Sequence, residues 1–233
     1  MTLSASTVFL LDVDNTLLDN DAVAADLDRH LAAQLGRLRA ERYWRIFEEL
    51  RAELGYADYL GALQRLRGAC PHETRLLETS AYLLEYPFAE RLYPGALDAI
   101  RRLNELGQTV ILSDGDAVFQ PHKIRRSGLW AAVGGEVLVY VHKERELDDV
   151  ERRYPAEHYV LVDDKVRILR AIKEDWGSRV TTVFLRQGHY AAGVDAIETV
   201  SLADLELARI DTLVDALVEA NGLGYGPRER RSA

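Results

Sequence analysis

The stretch TVFLLDVDNT, residues 7–16, joins a short apolar run to a pair of carboxylates. Its first five residues are apolar or β-branched, which is typical of a strand buried inside a parallel sheet. Asp12 and Asp14 follow at the point where that strand should end. Similar runs occupy residues 109–112, 158–162 and 180–185, and a weaker one occupies residues 136–140. The sequence therefore predicts five parallel strands.

Helical patterns separate the later strands. They cover residues 95–106, 117–126, 144–153 and 165–175. Strands that alternate with helices of this length indicate an α/β fold, with right-handed crossovers between neighbouring parallel strands. We therefore predict a Rossmann-like open parallel sheet.

Residues 20–91 differ from the rest because they contain no convincing strand. Their apolar residues recur at helical spacing, as in Leu27, Leu31 and Leu35. This block lies between the first and second predicted strands. We therefore predict an α/β core domain from residues 1–19 and 92–233, with an inserted α-helical cap domain at residues 20–91.

Charge and composition narrow the classes of partner. The chain has 233 residues and a formal net charge of −9, which disfavours nucleic acid or an anionic membrane as the main partner. A single cysteine, no visible signal peptide and no apolar segment of about 20 residues lead us to expect a cytoplasmic protein. The Gly-rich and charged residues 222–233 resemble a frayed tail. The sequence predicts no particular oligomeric state.

Polar residues follow nearly every predicted strand. They are Asp12, Asp14, Ser113, Asp114, Gly115, Lys143, Asp163 and Asp164. Ligands of open α/β sheets bind at the carboxyl ends of the strands, so these residues should meet at one edge. Gathered carboxylates repel one another, and a hard cation such as Mg²⁺ relieves that repulsion.

Phosphoryl transfer is the chemistry that this set of residues favours. A carboxylate such as Asp12 can attack phosphorus and form an aspartyl phosphate. Asp14 can act as general acid and base, and Lys143 can neutralise developing charge. Ser113 and the amides of Asp114 and Gly115 can donate hydrogen bonds to the phosphoryl oxygens.

Asp12-Val-Asp14-Asn-Thr16 resembles the first motif of the haloacid dehalogenase superfamily, Asp-x-Asp-x-Thr. Ser113, Lys143 and the pair Asp163-Asp164 resemble its second, third and fourth motifs in the same order. The resemblance covers roughly residues 7–190, and the long gap after the first motif matches the cap domain that the family inserts there.

The resemblance implies roles for these residues. The catalytic set would be Asp12 as nucleophile and Asp14 as acid and base, together with Ser113 and Lys143. The Mg²⁺ set would be Asp12, Asp14 through its backbone carbonyl, Asp163 and Asp164, with Asp164 binding directly and Asp163 indirectly. The phosphate would contact Ser113, Asp114, Gly115 and Lys143.

The expected function is Mg²⁺-dependent hydrolysis of a small phosphomonoester, so the expected partner is a small phosphorylated metabolite. A phosphotransferase or phosphomutase shares all four motifs and stays an alternative. Dehalogenase chemistry and a non-catalytic, Asp-phosphorylated signalling module are further alternatives. Asp14 argues against both, because a leaving halide needs no proton and a receiver-like module needs no second aspartate.

Several residues allow two interpretations. Asp114 and Lys165 depart from the residues that are most common beside the second and fourth motifs. His122 and Lys123 can either approach the site or lie on a solvated helix face. Aromatic and basic residues of the predicted cap can contact substrate, although aromatic residues at helical spacing more often form core. They are Tyr43, Trp44, Arg45, Tyr56 and Tyr59.

Overall fold

The computed structural model describes residues 7–189 and 203–220. Within them, six parallel strands form one sheet in the order β3-β2-β1-β4-β5-β6. The strands are β1 (Thr7–Leu11), β2 (Gln108–Asp114), β3 (Val137–Tyr140), β4 (His158–Asp163), β5 (Val180–Leu185) and β6 (Leu205–Leu207). The predicted α/β class with an open parallel sheet is confirmed.

Strand β1 lies at the centre, and its register fixes the edge of the sheet where the polar residues meet. Leu11 pairs with Ile111 of β2 on one side and with Val162 of β4 on the other. All three strands run in the same direction, so the residues that follow them emerge together. This register brings the predicted motif residues to one place.

Helices cover both faces of the sheet. The α-helices are α1 (Asn20–Leu35), α2 (Arg37–Leu54), α3 (Tyr59–Ala69), α4 (Arg75–Glu85), α5 (Ala96–Asn104), α6 (Phe119–Arg126), α7 (Leu129–Ala132), α8 (Leu147–Arg153), α9 (Val166–Trp176) and α10 (Leu213–Ala220). Alternation along β1 sends Phe9 and Leu11 into one apolar cluster and Val8 and Leu10 into the other. Helices α8 and α9 cover the second cluster.

The segment predicted to form the cap holds helices α1 to α4. Leu27, Leu31 and Leu35 are buried along α1, as their spacing predicts. The chain leaves and re-enters the sheet region at adjacent positions, since the Tyr93 amide donates to the Leu17 carbonyl and the Asp19 amide donates to the Arg91 carbonyl. These contacts support boundaries near residues 19 and 92, although the division into two domains stays a prediction.

Several elements differ from the sequence prediction, which places no helix at the positions of α7 and α10. Strand β6 was not predicted, because three residues are too short to show a period. The helix predicted at residues 144–153 is interrupted: a 3-10 turn, Lys143–Arg145, precedes α8. The predicted tail, residues 222–233, lies outside the described residues. Across the described ranges, no helix combines the length and apolarity needed to cross a membrane, and a cytoplasmic location stays a prediction.

Candidate active site

The loop after β1 places Asp12 and Asp14. The Asp12 amide donates to the Val162 carbonyl, which extends the β1–β4 pairing by one residue. Asn15 has a left-handed φ of 61°, which turns the chain sharply. Its side-chain Oδ1 accepts hydrogen bonds from the amides of Asn20 and Asp21 at 3.0 and 3.2 Å. The first motif is therefore fixed both to the sheet and to the start of α1.

Ser113 and Asp114 end strand β2 beside that loop. Asp114 Oδ1 accepts a 2.8 Å hydrogen bond from the Lys143 amide, so its carboxylate joins the second motif to the third. Burial raises the pKa of Asp114, and the charge of Lys143 opposes that rise. Gly115 lies close to Gln120, and a Cβ there would come within 2.7 Å of that side chain. The contact to Lys143 explains how an acidic side chain is accommodated here.

Lys143 is fully buried between two carboxylates. Its Nζ lies 2.6 Å from Asp12 Oδ1 and 2.6 Å from Asp163 Oδ2, and it donates to the Leu112 carbonyl at 3.1 Å. Burial would lower the pKa of this ammonium, but Asp12 and Asp163 raise it further than burial lowers it. Lys143 is therefore a permanent positive charge at the centre of the site.

Three buried carboxylates, those of Asp12, Asp163 and Asp164, lie together at the ends of β1 and β4. One oxygen from each can be chosen so that all lie within 4.8 Å of one another. Within the part of the chain that the structure describes, Asp12 Oδ2 and both Asp164 oxygens meet no hydrogen-bond donor. Asp163 differs, because its Oδ1 accepts from the Lys165 amide at 2.8 Å. Unsatisfied buried oxygens of this kind suit a divalent cation.

The charges around this cluster give its carboxyl groups different acidities. Burial would raise the pKa of Asp12, but Lys143 and Lys165 outweigh it and hold that pKa below its ordinary value. Burial, followed by the charges of Asp163 and Asp12, raises the pKa of Asp164 to about 9. Asp12 is thus kept as an anion, and Asp164 is the group that most needs a cation.

Two side chains of helix α6 contact Asp14. Lys123 Nζ lies 2.5 Å from Asp14 Oδ1, and Gln120 Nε2 donates to Asp14 Oδ2 at 3.2 Å and to Ser113 Oγ at 2.9 Å. Lys123 therefore approaches the site, and its interpretation as part of a solvated helix face is wrong. His122 points away from Asp14 and contacts the Leu84 carbonyl. The sequence did not single out Gln120, although residues three apart on one helix share a face.

A cavity of about 610 Å³ opens above the carboxylates. Asp14, Asp114 and Asp164 line it from the sheet side. The helical segment contributes aromatic lining, namely Trp44, Phe47, Tyr56 and Tyr59. Tyr43 is buried and donates to the Tyr59 carbonyl, so it belongs to the core, and Arg45 is exposed outside the cavity lining.

The structure joins a parallel α/β sheet with buried carboxylates at its carboxyl edge, and comparison with known proteins assigns a chain of this kind to a family of hydrolytic enzymes. The family model described as haloacid dehalogenase-like hydrolase matches residues 7–174. The chain therefore belongs to the haloacid dehalogenase-like hydrolases, and the resemblance found in the sequence is confirmed. A comparison with curated proteins finds no significant match.

Solved structures agree with this assignment. A provisionally assigned haloacid dehalogenase-like hydrolase from Burkholderia xenovorans LB400 is 59% identical, covers 93% of this chain and 98% of its own, and has a TM-score of 0.85. The magnesium-bound HAD-hydrolase YfnB from Bacillus subtilis, also a provisional assignment, is 17% identical, with 92% and 99% coverage and a TM-score of 0.58. L-2-haloacid dehalogenase from Xanthobacter autotrophicus is 19% identical, with 92% and 98% coverage and a TM-score of 0.58. The last two show similarity of fold alone.

Proposed function

We propose that this hydrolase cleaves small phosphomonoesters with the help of Mg²⁺ and passes through an aspartyl phosphate on Asp12. The observation that carries the proposal is the buried cluster of Asp12, Asp163 and Asp164. Within the described residues, Asp12 Oδ2 and both Asp164 oxygens meet no donor there, and this suits a cation. Attack of a carboxylate on carbon with loss of halide requires no such cation. A dianionic phosphate, in contrast, needs positive charge to approach a carboxylate nucleophile.

Each residue has a role that follows from its contacts. Asp12, held as an anion between Lys143 and the cation site, attacks phosphorus. Asp14 protonates the leaving oxygen and then removes a proton from the water that hydrolyses the aspartyl phosphate. The Ser113 hydroxyl and the Asp114 amide donate to the phosphoryl oxygens, while the Lys143 ammonium balances their charge. The Gly115 amide, which the sequence also assigns to the phosphate, instead donates to the Tyr140 carbonyl at 2.8 Å, in continuation of the β2–β3 pairing.

Magnesium fits the oxygen donors that are present. Asp164 would bind it directly, because neither of its oxygens meets a donor in the part of the chain that the structure describes. Asp12 would supply Oδ2, and the Asp14 carbonyl would complete the protein ligands. Asp163 would act indirectly, because Lys143 and the Lys165 amide already contact it. When bound, the ion would neutralise phosphate charge. The magnesium-bound structure of YfnB, which shares the fold, supports this choice of ion.

The alternatives predict different products. Release of halide from a 2-haloacid would indicate the dehalogenase reaction of the Xanthobacter autotrophicus enzyme. Transfer of phosphate to an added alcohol or sugar would indicate a phosphotransferase or phosphomutase. Hydrolysis is favoured here because Asp14 lines an open cavity, where water can reach it after the leaving group departs.

The purified protein is expected to hydrolyse p-nitrophenyl phosphate with Mg²⁺ and to lose that activity after exhaustive chelation. The physical reason is the repulsion between phosphate and the carboxylate cluster in the absence of a cation. Nitrophenol release with and without added Mg²⁺ measures this, and halide release from 2-chloropropionate is assayed in parallel. Full activity after chelation, or halide release without phosphate release, would contradict the proposal.

Asp164→Asn is expected to weaken Mg²⁺ binding more than Asp163→Asn. Loss of an indirect partner costs about 10–100-fold in metal affinity, and loss of a direct ligand should exceed that. The measurement is the Mg²⁺ concentration that gives half-maximal activity in each variant. The neighbouring positions serve as controls for each other, since both substitutions remove one buried carboxylate charge. The reverse order would exchange the roles of the two residues.

A further inference from the structure

Helix α6 carries two buried polar side chains that the proposed reaction leaves without a role. Lys123 is 1% exposed and Gln120 is 4% exposed. Burying an ammonium group is costly unless an anion and hydrogen-bond acceptors compensate it. For Lys123 the compensating anion is Asp14, on a different element 109 residues earlier in the chain. Because the burial of Lys123 costs free energy and places its ammonium group beside an acid–base residue, it suggests a role in the reaction.

We propose that Lys123 and Gln120 are positioning residues, which hold the Asp14 carboxyl group toward the substrate oxygen that leaves. This inference rests on the proposed phosphomonoester hydrolysis, because it assigns Asp14 its acid–base task. Neither side chain lines the cavity, so both act through the residues that they hold rather than on the substrate: both hold Asp14, and Gln120 also holds Ser113.

The two contacts fix Asp14 at both of its oxygens. Lys123 Nζ holds Oδ1 at 2.5 Å, and Gln120 Nε2 holds Oδ2 at 3.2 Å. Asp14 lies in a loop, and its side chain is 24% exposed at the cavity. A carboxylate held at one oxygen can still rotate, whereas one held at both oxygens has a single orientation. Since both donors come from one helix, three residues apart, they move together.

The donors are themselves held in place. Lys123 Nζ also donates to Asn20 Oδ1 at 3.3 Å, and Asn20 Nδ2 donates to the Tyr59 hydroxyl at 3.2 Å. Gln120 Nε2 also donates to Ser113 Oγ at 2.9 Å. The Asp14 carboxyl group is therefore connected both to the hydroxyl proposed to bind phosphate and to helices α1 and α3. The acid–base group and the phosphate-binding group share one rigid support.

Loss of this support should reduce the rate without weakening substrate binding. Misplacement of a reacting group by about 1 Å can cost roughly 10²-fold in rate. The loss in the first step should also follow the task of Asp14 as an acid, so it should be larger when the leaving group is a basic alkoxide than when it is nitrophenolate. A lysine that merely stabilised the fold would slow the first step alike for both substrates.

The test combines Lys123→Met and Gln120→Leu with Asp14→Asn in double-mutant cycles. Both single substitutions keep the approximate side-chain length and remove the donor. On an alkyl phosphate we expect the rate of the first step, measured by rapid mixing, to fall about 10²-fold with substrate binding nearly unchanged in Lys123→Met, and to fall less with p-nitrophenyl phosphate. In the Asp14→Asn background, Lys123→Met should cost almost nothing more, and Gln120→Leu should keep only the part of its loss that passes through Ser113. Ser127→Ala is the matched control, because Ser127 is buried at the C-terminal end of the same helix and its hydroxyl donates to the Ile124 carbonyl rather than to a residue of the site.

Thermal unfolding of every variant separates loss of fold from loss of positioning. If Lys123→Met does not fold, the test is made with Gln120→Leu. Equal losses in the wild-type and Asp14→Asn backgrounds would overturn the proposal. Crystal structures supply a readout that does not depend on activity. Inactivity of the wild type on all phosphate esters would refute the proposed function, whereas an unchanged Asp14 orientation in Lys123→Met or Gln120→Leu crystals would overturn the positioning role by itself.

Discussion

Asp12→Asn is expected to reduce turnover of p-nitrophenyl phosphate by at least ~10³-fold, the scale of losing a covalent nucleophile. An amide oxygen carries no full negative charge and attacks phosphorus poorly. The wild-type residue is well suited to attack, because Lys143 and Lys165 keep the pKa of Asp12 low despite its burial. The substitution changes charge but scarcely changes volume.

The fold should survive this substitution. Lys143 would keep its 2.6 Å contact with Asp163 and its hydrogen bond to the Leu112 carbonyl, so its charge would not be left unpaired. Thermal unfolding checks this point. Asp98→Asn makes the same chemical change at an exposed position of α5 and should leave turnover unchanged.

Trapping the intermediate completes this test. Acid quenching with labelled substrate should leave phosphate on the wild-type protein and none on Asp12→Asn. Labelled phosphate found on another residue, or an Asp12→Asn variant that keeps a tenth of the wild-type rate, would refute Asp12 as nucleophile.

Asp14→Asn should cost about 10²–10⁴-fold on an alkyl phosphate, the usual range for general acid–base catalysis. The loss in the first step should be much smaller with p-nitrophenyl phosphate, because nitrophenolate leaves readily without a proton. The second step uses Asp14 as a base with either substrate, so aspartyl phosphate should accumulate. Rapid mixing is expected to show a burst of nitrophenol equal to the enzyme concentration, followed by slow turnover.

Glu48→Gln is a suitable control for Asp14→Asn. Glu48 also lines the cavity, but its carboxylate contacts Arg51 on the same helix, α2. It should retain the wild-type pattern without a burst. Equal losses of Asp14→Asn on both substrates, with no burst and no trapped phosphoenzyme, would tell against Asp14 as acid and base.

Much of the fold followed from local pattern. Strand β1 and its neighbours are continuous apolar runs because helices cover both faces of the sheet, and such runs are visible in a sequence. The residues after those runs had to converge, since parallel strands end at the same edge. The order of motifs then identified the family, which the match over residues 7–174 confirms.

Other features depend on contacts between distant segments. Strand β6 is only three residues long and forms by pairing with β5. Three residues are too few to show a periodic pattern in the sequence. The difference between Asp163 and Asp164 is equally invisible in the sequence, because the two residues are adjacent and chemically identical. The carboxylate of Asp163 contacts Lys143 and the Lys165 amide, whereas the Asp164 oxygens meet no donor within the described chain.

Local polarity and strand direction are enough to predict the α/β class, the edge of the sheet that holds the site and the candidate residues. The direction in which the polar side chains of helix α6 point depends instead on tertiary packing. A helical period places Gln120 and Lys123 on one face, but it does not say which face is buried. Packing of α6 against the β1 loop turns that face inward, and the charge of Asp14 compensates the burial of Lys123.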